Sequence, residues 1–202
     1  QFLEGSQELL AIPAGTAGNA NGLAAPQLID LNGDGIVDVA YAGDLKGNLW
    51  KFDLTNASSP SWKVAYGGTP FFKTPNLRPV TSAPAFSFHN DGLILMLGTG
   101  KSLTEADAAA IDEEYILAVL DETKFTSSGG AGSVVLDSSD PVSVGELVHK
   151  SLSSGADGWS LSNDVVDYTT KKGWYFALPV GGARALSSPV WVTGTQFRQV
   201  LT

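Results

Sequence analysis

The chain has 202 residues, a formal net charge of -9 at pH 7 and no cysteine. A chain of this length buries about 70% of its unfolded surface, which suits one domain. The acidic balance argues against binding to nucleic acid, because the phosphates of nucleic acid require clustered lysine and arginine. The missing cysteines exclude disulfides and thiolate metal sites.

Glycine, proline and aromatic residues dominate the composition. There are 23 glycines, 10 prolines and 9 phenylalanines, and only 16% of the residues are charged. This balance is typical of an all-β protein with short strands and many turns. No apolar run approaches the about 20 residues that a membrane span needs. The chain begins at Gln1 rather than Met, so we expect residues 1–202 to be a single domain that is a fragment or processed form of a larger one.

Three segments share a pattern of a small residue, a proline and an apolar strand. Their prolines, Pro26, Pro84 and Pro189, lie 58 and 105 residues apart. The second interval is about twice a unit of about 50 residues, which is a typical length for a propeller blade. The spacing predicts a modified β-propeller with about four blades' worth of chain, although unrelated hairpins would give a similar pattern.

The first unit contains a predicted β-hairpin. It comprises, in order, Val37, Val39 and Tyr41, a turn at 44–47, and then Trp50, Phe52 and Leu54. Alternation of apolar side chains predicts two strands that share one buried face. We interpret Trp50 as a core residue rather than as a platform for a sugar or a quinone.

One short helix is predicted, over residues 104–110. Thr104 is a good N-cap and Asp107 occupies the capping-box position. Residues 14–22 and 127–133 are rich in glycine, alanine, serine and asparagine. They are predicted to be connections, the first too poor in apolar side chains to pack and the second flexible.

Residues 30–38, with the sequence DLNGDGIVD, carry the clearest chemical signal. Side chains at positions 1, 3, 5 and 9 of a tight loop converge on one centre, together with the main-chain carbonyl of position 7. In this chain those positions are Asp30, Asn32, Asp34, Asp38 and, for the carbonyl, Ile36. Gly33 and Gly35 permit the backbone to curl. Because every donor is a hard oxygen, the set predicts Ca²⁺ rather than zinc or copper.

The alternative for this loop is a solvated turn rich in aspartate and glycine. An EF-hand does not fit, because position 12 would be Tyr41 within a β pattern instead of a glutamate on a helix. Three neighbouring carboxylates repel one another when no cation lies between them. We therefore expect the loop without its ion to be strained or loose.

No catalytic apparatus is visible in the sequence. GTGKS at 98–102 is similar to a nucleotide-binding loop, but Leu95 stands where the first glycine of that motif belongs. His89 and His149 accompany neither a cysteine nor a G-x-S-x-G motif. The acidic run 112–114 would suit a second cation site or a solvated face. We predict that the protein is not an enzyme.

Three stretches are distinctive as sequences. They are GLAAPQLIDLNGDGIVDVAYAGDLKGNLWKFDL at 22–54, RPVTSAPAF and LGTGKSL within 78–103, and GWYFALPVGGARALSSP at 173–189. In this order they resemble the C-terminal propeller of the PilY/PilC family of type IV pilus-associated adhesins. The resemblance implies a modified β-propeller with a short helical insertion and a single calcium loop at residues 30–38.

The resemblance also implies a function. In that family, calcium occupancy is linked to pilus extension versus retraction, and hence to twitching motility and surface adhesion. The implied location is the pilus tip or outer surface of a Gram-negative bacterium, reached through the periplasm. The implied partners are minor pilins, the tip complex and a host or abiotic surface, with no nucleic acid and no membrane span. The Arg-Gly-Asp motif of some members has no match here.

Two alternatives remain open from the sequence. One is an integrin-like FG-GAP calcium-binding adhesion propeller, and the other is a quinoprotein-like enzyme. FG-GAP propellers carry one such loop in each blade, whereas the motif occurs once in this chain. A quinoprotein requires a pocket in which cationic and aromatic side chains converge.

Overall fold

The computed structural model describes residues 11–16, 18–128, 133–137, 139–155, 158–191 and 197–198. These residues form short strands joined by turns. The strands are β1 Gln27–Ile29, β2 Val39–Gly43, β3 Asn48–Asp53, β4 Lys63–Val64, β5 Phe72–Lys73, β6 Ala85–His89, β7 Gly92–Gly98, β8 Tyr115–Asp121, β9 Phe125–Ser127, β10 Val134–Leu136, β11 Val148–His149, β12 Leu152–Gly155, β13 Gly158–Leu161, β14 Gly173–Ala177, β15 Val190–Trp191 and β16 Phe197–Arg198.

Helices are few and short. The α-helix α1 spans Glu105–Ala109, and single turns of 3-10 helix lie in the connections at Ser59–Ser61, Tyr66–Gly68, Pro75–Leu77 and Val144–Glu146. Thr104 and Asp107 form the predicted reciprocal capping box at the start of α1. None of the helices in the described ranges is long and apolar enough to cross a membrane.

The strands form two larger sheets, each with five strands, and three separate two-stranded pairs within the described ranges. In the first sheet the order is β1-β2-β3-β4, and β5 pairs with the other end of β3; every pair is antiparallel. In the second sheet the order is β11-β14-β8-β7-β6, with a parallel pair only between β11 and β14. The separate pairs are β9/β10, β12/β13 and β15/β16. None of the described sheets closes on itself.

The repeated prolines mark the starts of strands, as the sequence pattern predicts. Pro26, Pro84 and Pro189 each immediately precede a strand, and each of those strands pairs with the next strand along the chain. Proline lacks a backbone N–H and is therefore tolerated at the beginning of a strand. The sequence predicted about four blades' worth of chain. In the described ranges the strands form two five-stranded sheets and three smaller pairs.

One apolar core lies between the two larger sheets. From the first sheet it contains Val39, Tyr41, Leu49 and Phe72, and from the second it contains Leu95, Leu97, Leu117 and Val119. The alternate residues of the same strands point the other way. Those of the first sheet pack in a second cluster around Trp50, and those of the second sheet pack in a third cluster around Met96. Both faces of each large sheet are therefore covered.

The hairpin predicted over residues 37–54 forms, but its predicted single buried face is wrong. Ala42 lies opposite Trp50 and Tyr41 lies opposite Lys51, so Tyr41 and Trp50 occupy different faces. Both side chains are buried, Tyr41 against the second sheet and Trp50 against residues that include Ile12. Alternation along one strand predicts which residues share a face, but the number of covered faces depends on what packs against the sheet.

Asp44 holds the turn between β2 and β3. Its fully buried carboxylate accepts hydrogen bonds from the amides of Lys46 and Asn48 at 2.8 and 2.9 Å. It also accepts from the side chains of Asn21 at 3.0 Å, Asn48 at 2.8 Å and Trp50 at 2.8 Å. Two residues of the connection 14–22 contact the fold, since Asn21 bonds to Asp44 and Ala14 contacts the cluster around Trp50, whereas the described residues between them are exposed.

A buried ion pair joins the two larger sheets. Lys51 in β3 lies 2.7 Å from Asp121 at the end of β8, and their side chains are 3% and 0% exposed. Lys51 also donates to Thr123 at 2.5 Å, and Tyr41 donates to Asp121 at 2.6 Å. Burial by itself would raise the pKa of Asp121, but Lys51 and the hydroxyl donors outweigh this effect and lower that pKa below its ordinary value.

Replacing Lys51 by methionine is expected to lower the free energy of unfolding by about 3–5 kcal/mol, because it leaves the buried Asp121 without its cation. Lys63→Met is the matched control, since Lys63 is 69% exposed and lies 3.8 Å from Asp53. Exposed pairs contribute about 0–1 kcal/mol. Urea unfolding of both variants measures the difference. Equal effects would contradict a special role for the buried pair.

Candidate functional site

The loop 30–38 joins β1 to β2 at the edge of the first sheet. Its ends are fixed by the sheet, because the amide of Asp38 donates to the carbonyl of Ile29 at 2.9 Å and the amide of Leu54 donates to the carbonyl of Asp38 at 2.9 Å. The candidate ligands therefore begin and end on rigid strands. Those between them lie on the exposed part of the turn.

Asp30 accepts hydrogen bonds from three amides of its own loop. Its carboxylate lies 2.7 Å from the amide nitrogen of Gly33, 2.7 Å from that of Gly35 and 3.3 Å from that of Asp34. The Gly35 amide is the main cause that lowers the pKa of Asp30, against the opposing effect of burial, and the other two amides add to it. Asp30 is thus ionised at neutral pH and organises the turn.

Asn32 and Asp34 bond to each other in the middle of the loop. The side-chain amide of Asn32 donates to the Asp34 carboxylate at 3.0 Å, and its oxygen accepts from the Asp34 backbone amide at 3.0 Å. The amide of Ile36 donates to the same carboxylate at 2.9 Å. Ile36 is predicted to contribute its main-chain carbonyl to a metal site. Its side chain is apolar and 40% exposed.

Asp38 is the buried member of the set. Its side chain accepts from the amide of Leu31 at 2.8 Å, and the residue is only 4% exposed. Burial is the main cause that raises the pKa of Asp38, and the negative charges of Asp34 and Asp30 raise it further against the Leu31 amide. The charges of Asp30 and Asp34 therefore disfavour the ionised form of Asp38.

The residues predicted as ligands thus lie together in one loop, and their chemistry fits a hard cation such as Ca²⁺. Their orientation is set by the loop itself, since Asp30 and Asp34 face backbone amides. Within the described ranges, no three carboxylates or imidazoles are gathered closely enough to hold a metal ion between them. Binding of an ion would therefore require the carboxylates to come closer together.

The left-handed backbone angles of the loop fall on glycine. Its residues with left-handed backbone angles are Gly33, with φ of 77°, and Gly35, with φ of 88°. Glycine adopts these angles without steric cost. The loop amides occupy the carboxylate oxygens, so repulsion is offset by hydrogen bonds.

The acidic run 112–114 does not form a second cation site. Each carboxylate has its own partner: Arg78 for Asp112 at 3.0 Å, the Tyr115 hydroxyl for Glu113, and the Thr99 hydroxyl for Glu114 at 2.5 Å. Glu114 is only 5% exposed, and burial raises its pKa. A solvated face is therefore also wrong for Glu114, although Asp112 and Glu113 are exposed.

The remaining candidate motifs have structural partners. The amide of Gly100 in the GTGKS segment donates to the carbonyl of Pro79 at 2.8 Å, so it holds a connection in place. His89 lies 4.7 Å from Tyr168 between ring centroids. His149 stacks on Tyr175 with ring centroids 4.8 Å apart.

A cleft of about 730 Å³ between the two larger sheets was not indicated by the sequence. A row of rings lines one wall: Tyr115 meets Tyr175 edge-on at 6.0 Å, and Tyr175 stacks on His149. Asn76 and Leu77 line the opposite wall with left-handed backbone angles, φ of 52° and 54°. Asn76 donates to the Tyr115 hydroxyl at 2.7 Å, which links the two walls. No local pattern brings these residues together, because they come from distant parts of the chain.

Comparisons with known proteins agree with this architecture. The family model described as the PilY1 beta-propeller domain matches residues 10–163. The type IV pilus biogenesis factor PilY1 of Pseudomonas aeruginosa strain PAO1 is 39% identical over 118 residues, which cover 48% of this chain and 10% of that protein. A PilY1 homolog of Xylella fastidiosa is 27% identical over 192 residues, which cover 88% of this chain and 12% of the homolog.

A solved structure is similar as well. The crystal structure of the Pseudomonas aeruginosa PilY1 C-terminal domain superposes with a TM-score of 0.67 at 26% identity, over 87% of this chain and 43% of that one. The chain thus spans about a tenth of the length of the curated relatives that it matches.

Replacing Asp38 by asparagine is expected to raise the melting temperature in calcium-free buffer by a few degrees at most. Asparagine keeps an acceptor for the Leu31 amide but removes a buried charge that Asp30 and Asp34 repel. Differential scanning calorimetry with a chelator present measures the change. A clear fall in melting temperature would contradict this account of the loop electrostatics.

Proposed function

The chain belongs to the PilY1 β-propeller family, and from that membership we propose that it is the calcium-binding part of a pilus-tip protein that regulates pilus extension. Its two open larger sheets form part of a propeller of a type IV pilus biogenesis factor. One observation carries the calcium proposal: four oxygen-bearing side chains, separated by two left-handed glycines, lie in one loop between two paired strands.

Calcium would be held by the side chains of Asp30, Asn32, Asp34 and Asp38 and by the carbonyl of Ile36. The ion supplies positive charge that replaces repulsion among the carboxylates. Asp38 is fixed by the sheet and buried, so it would act as the anchor. Asp30 and Asp34 would turn towards the ion and release the amides of Gly35 and Ile36. Occupancy would therefore change the shape of the turn as well as its charge.

This change gives the loop a means of regulation. A ligand shifts a conformational equilibrium only by its different affinities for the two states. The loop has one arrangement organised by amides, and calcium favours another. We propose that this difference alters a propeller surface that contacts minor pilins or the tip complex, and so influences extension, twitching motility and attachment to a host or abiotic surface.

We propose that the protein acts outside the cell, at the pilus tip or outer surface of a Gram-negative bacterium, and that it is not an enzyme. The named relatives are type IV pilus biogenesis factors, which favours this hypothesis over the integrin-like and quinoprotein-like alternatives.

Calcium is expected to stabilise the wild-type chain and not the Asp38→Asn variant. At a calcium concentration one hundred times Kd, binding contributes about 2.7 kcal/mol, which raises the melting temperature by about 5–10 °C for a chain of this size. Asp137→Asn is the control, because Asp137 is exposed and distant from the loop in sequence. Isothermal titration and thermal unfolding measure the effect. Absence of both heat and stabilisation in the wild type would refute calcium binding.

In the bacterium that produces the protein, Asp38→Asn introduced into the full-length chain is expected to change pilus number and twitching motility. The physical reason is that calcium no longer shifts the equilibrium of the loop. Surface pili are counted by electron microscopy and motility is measured on agar, with Asp137→Asn beside it. Normal piliation and motility in a variant that has lost calcium binding would refute the regulatory role and limit calcium to a structural one.

A further inference from the structure

Asn32 connects the loop 30–38 to a distant part of the chain. Its side-chain nitrogen donates to the hydroxyl of Ser127 at 2.9 Å, across 95 positions of sequence. Ser127 is the last residue of β9. Among the side-chain hydrogen bonds that the structure shows for the loop, this is the one whose partner lies outside residues 30–38.

The contact fixes which end of the Asn32 amide faces the loop. A carboxamide has an oxygen that accepts and a nitrogen that donates, and only the oxygen can bind calcium. The nitrogen donates to Ser127 and also to the Asp34 carboxylate at 3.0 Å, while the oxygen accepts from the backbone amide of Asp34 at 3.0 Å. Reversing the amide would place its nitrogen against the Asp34 N–H, so that two donors would face each other. The three contacts therefore favour the same orientation, in which the oxygen faces the backbone amide of Asp34 and Ser127 holds the nitrogen from outside the loop.

Ser127 is itself held in place. The segment 121–127 begins at the buried ion pair, where Lys51 binds Asp121 at 2.7 Å and Thr123 at 2.5 Å. β9 follows at once and pairs with β10. Ser127 also lies 3.2 Å from the hydroxyl of Ser133, the residue before β10. The hydroxyl that meets Asn32 is thus presented by a strand anchored to the first sheet.

We propose that Ser127 is a positioning residue of the calcium loop, which holds Asn32 with its oxygen turned towards the ion. The proposal rests on the calcium binding proposed above and adds a residue that the loop motif does not contain. In this proposal, two parts of the fold build the site: the loop 30–38 and the β9/β10 hairpin. By linkage, calcium then stabilises the hairpin by the same factor by which the hairpin strengthens calcium binding.

The test compares calcium affinities of the 202-residue chain by isothermal titration with calcium chloride. Ser127→Ala removes the acceptor and is expected to raise Kd by about 2- to 10-fold, the effect of one ordinary hydrogen bond. Ser127→Thr keeps the hydroxyl on a strand residue and is expected to restore Kd to within about twofold of the wild type. Ser128→Ala, at the exposed neighbouring position, is expected to leave Kd unchanged.

A second background separates positioning from general stability. An aspartate side chain has two equivalent oxygens and no donor. In the Asn32→Asp variant, the group at position 32 therefore has no orientation that Ser127 could fix. Adding Ser127→Ala to Asn32→Asp is therefore expected to change Kd by less than the same substitution does in the wild type. A double-mutant cycle measures this coupling. Melting temperatures with a chelator present should be alike for the Ser127→Ala and Ser128→Ala variants.

The outcomes distinguish this inference from the function on which it rests. If the wild type gives no calcium heat, the calcium site itself is wrong and the role of Ser127 is overturned with it. If the wild type binds and Ser127→Ala binds equally well, only the role of Ser127 is overturned. The same holds if the threonine variant fails to restore affinity, or if the loss of affinity is equally large in the Asn32→Asp background.

Discussion

The buried pair between Lys51 and Asp121 is the constraint on which the arrangement of this protein depends. A lysine and an aspartate that are almost fully removed from water are tolerated only when each satisfies the other, and here the two come from different sheets. The surrounding hydroxyls of Tyr41 and Thr123 complete the hydrogen bonds of the pair. The close-packed apolar core and this pair together set how β3 and β8 lie against each other.

The same constraint places the loop 30–38 in its surroundings. The loop belongs to the first sheet, and Asp121 to the second. Because the chain passes from Asp121 directly into β9, fixing the pair also fixes the strand that brings Ser127 to Asn32. The segment 121–127 thus contacts the first sheet at its buried side and again at its exposed loop. A change in the loop has a direct path of contacts to the β9/β10 hairpin.

The loop is organised so that charge and hydrogen bonding oppose each other. Amides of the turn favour the ionised form of Asp30, while burial and neighbouring carboxylates disfavour that of Asp38. A divalent ion would relieve the repulsion but compete with the amides for the same oxygens. Membership of the PilY1 β-propeller family relates this loop to proteins that are type IV pilus biogenesis factors.

The sequence by itself determined the local features of this protein. Three prolines marked strand starts, Thr104 and Asp107 marked a helix cap, and spacing alone collected the residues of the loop 30–38. These features depend on neighbours within a few positions, which a sequence displays directly. Only the tertiary structure decided that both faces of the first hairpin are buried, that Glu114 lies inside, and that Ser127 reaches Asn32 across 95 residues. Those outcomes depend on which sheets pack together, and packing is set by the whole chain rather than by any one segment.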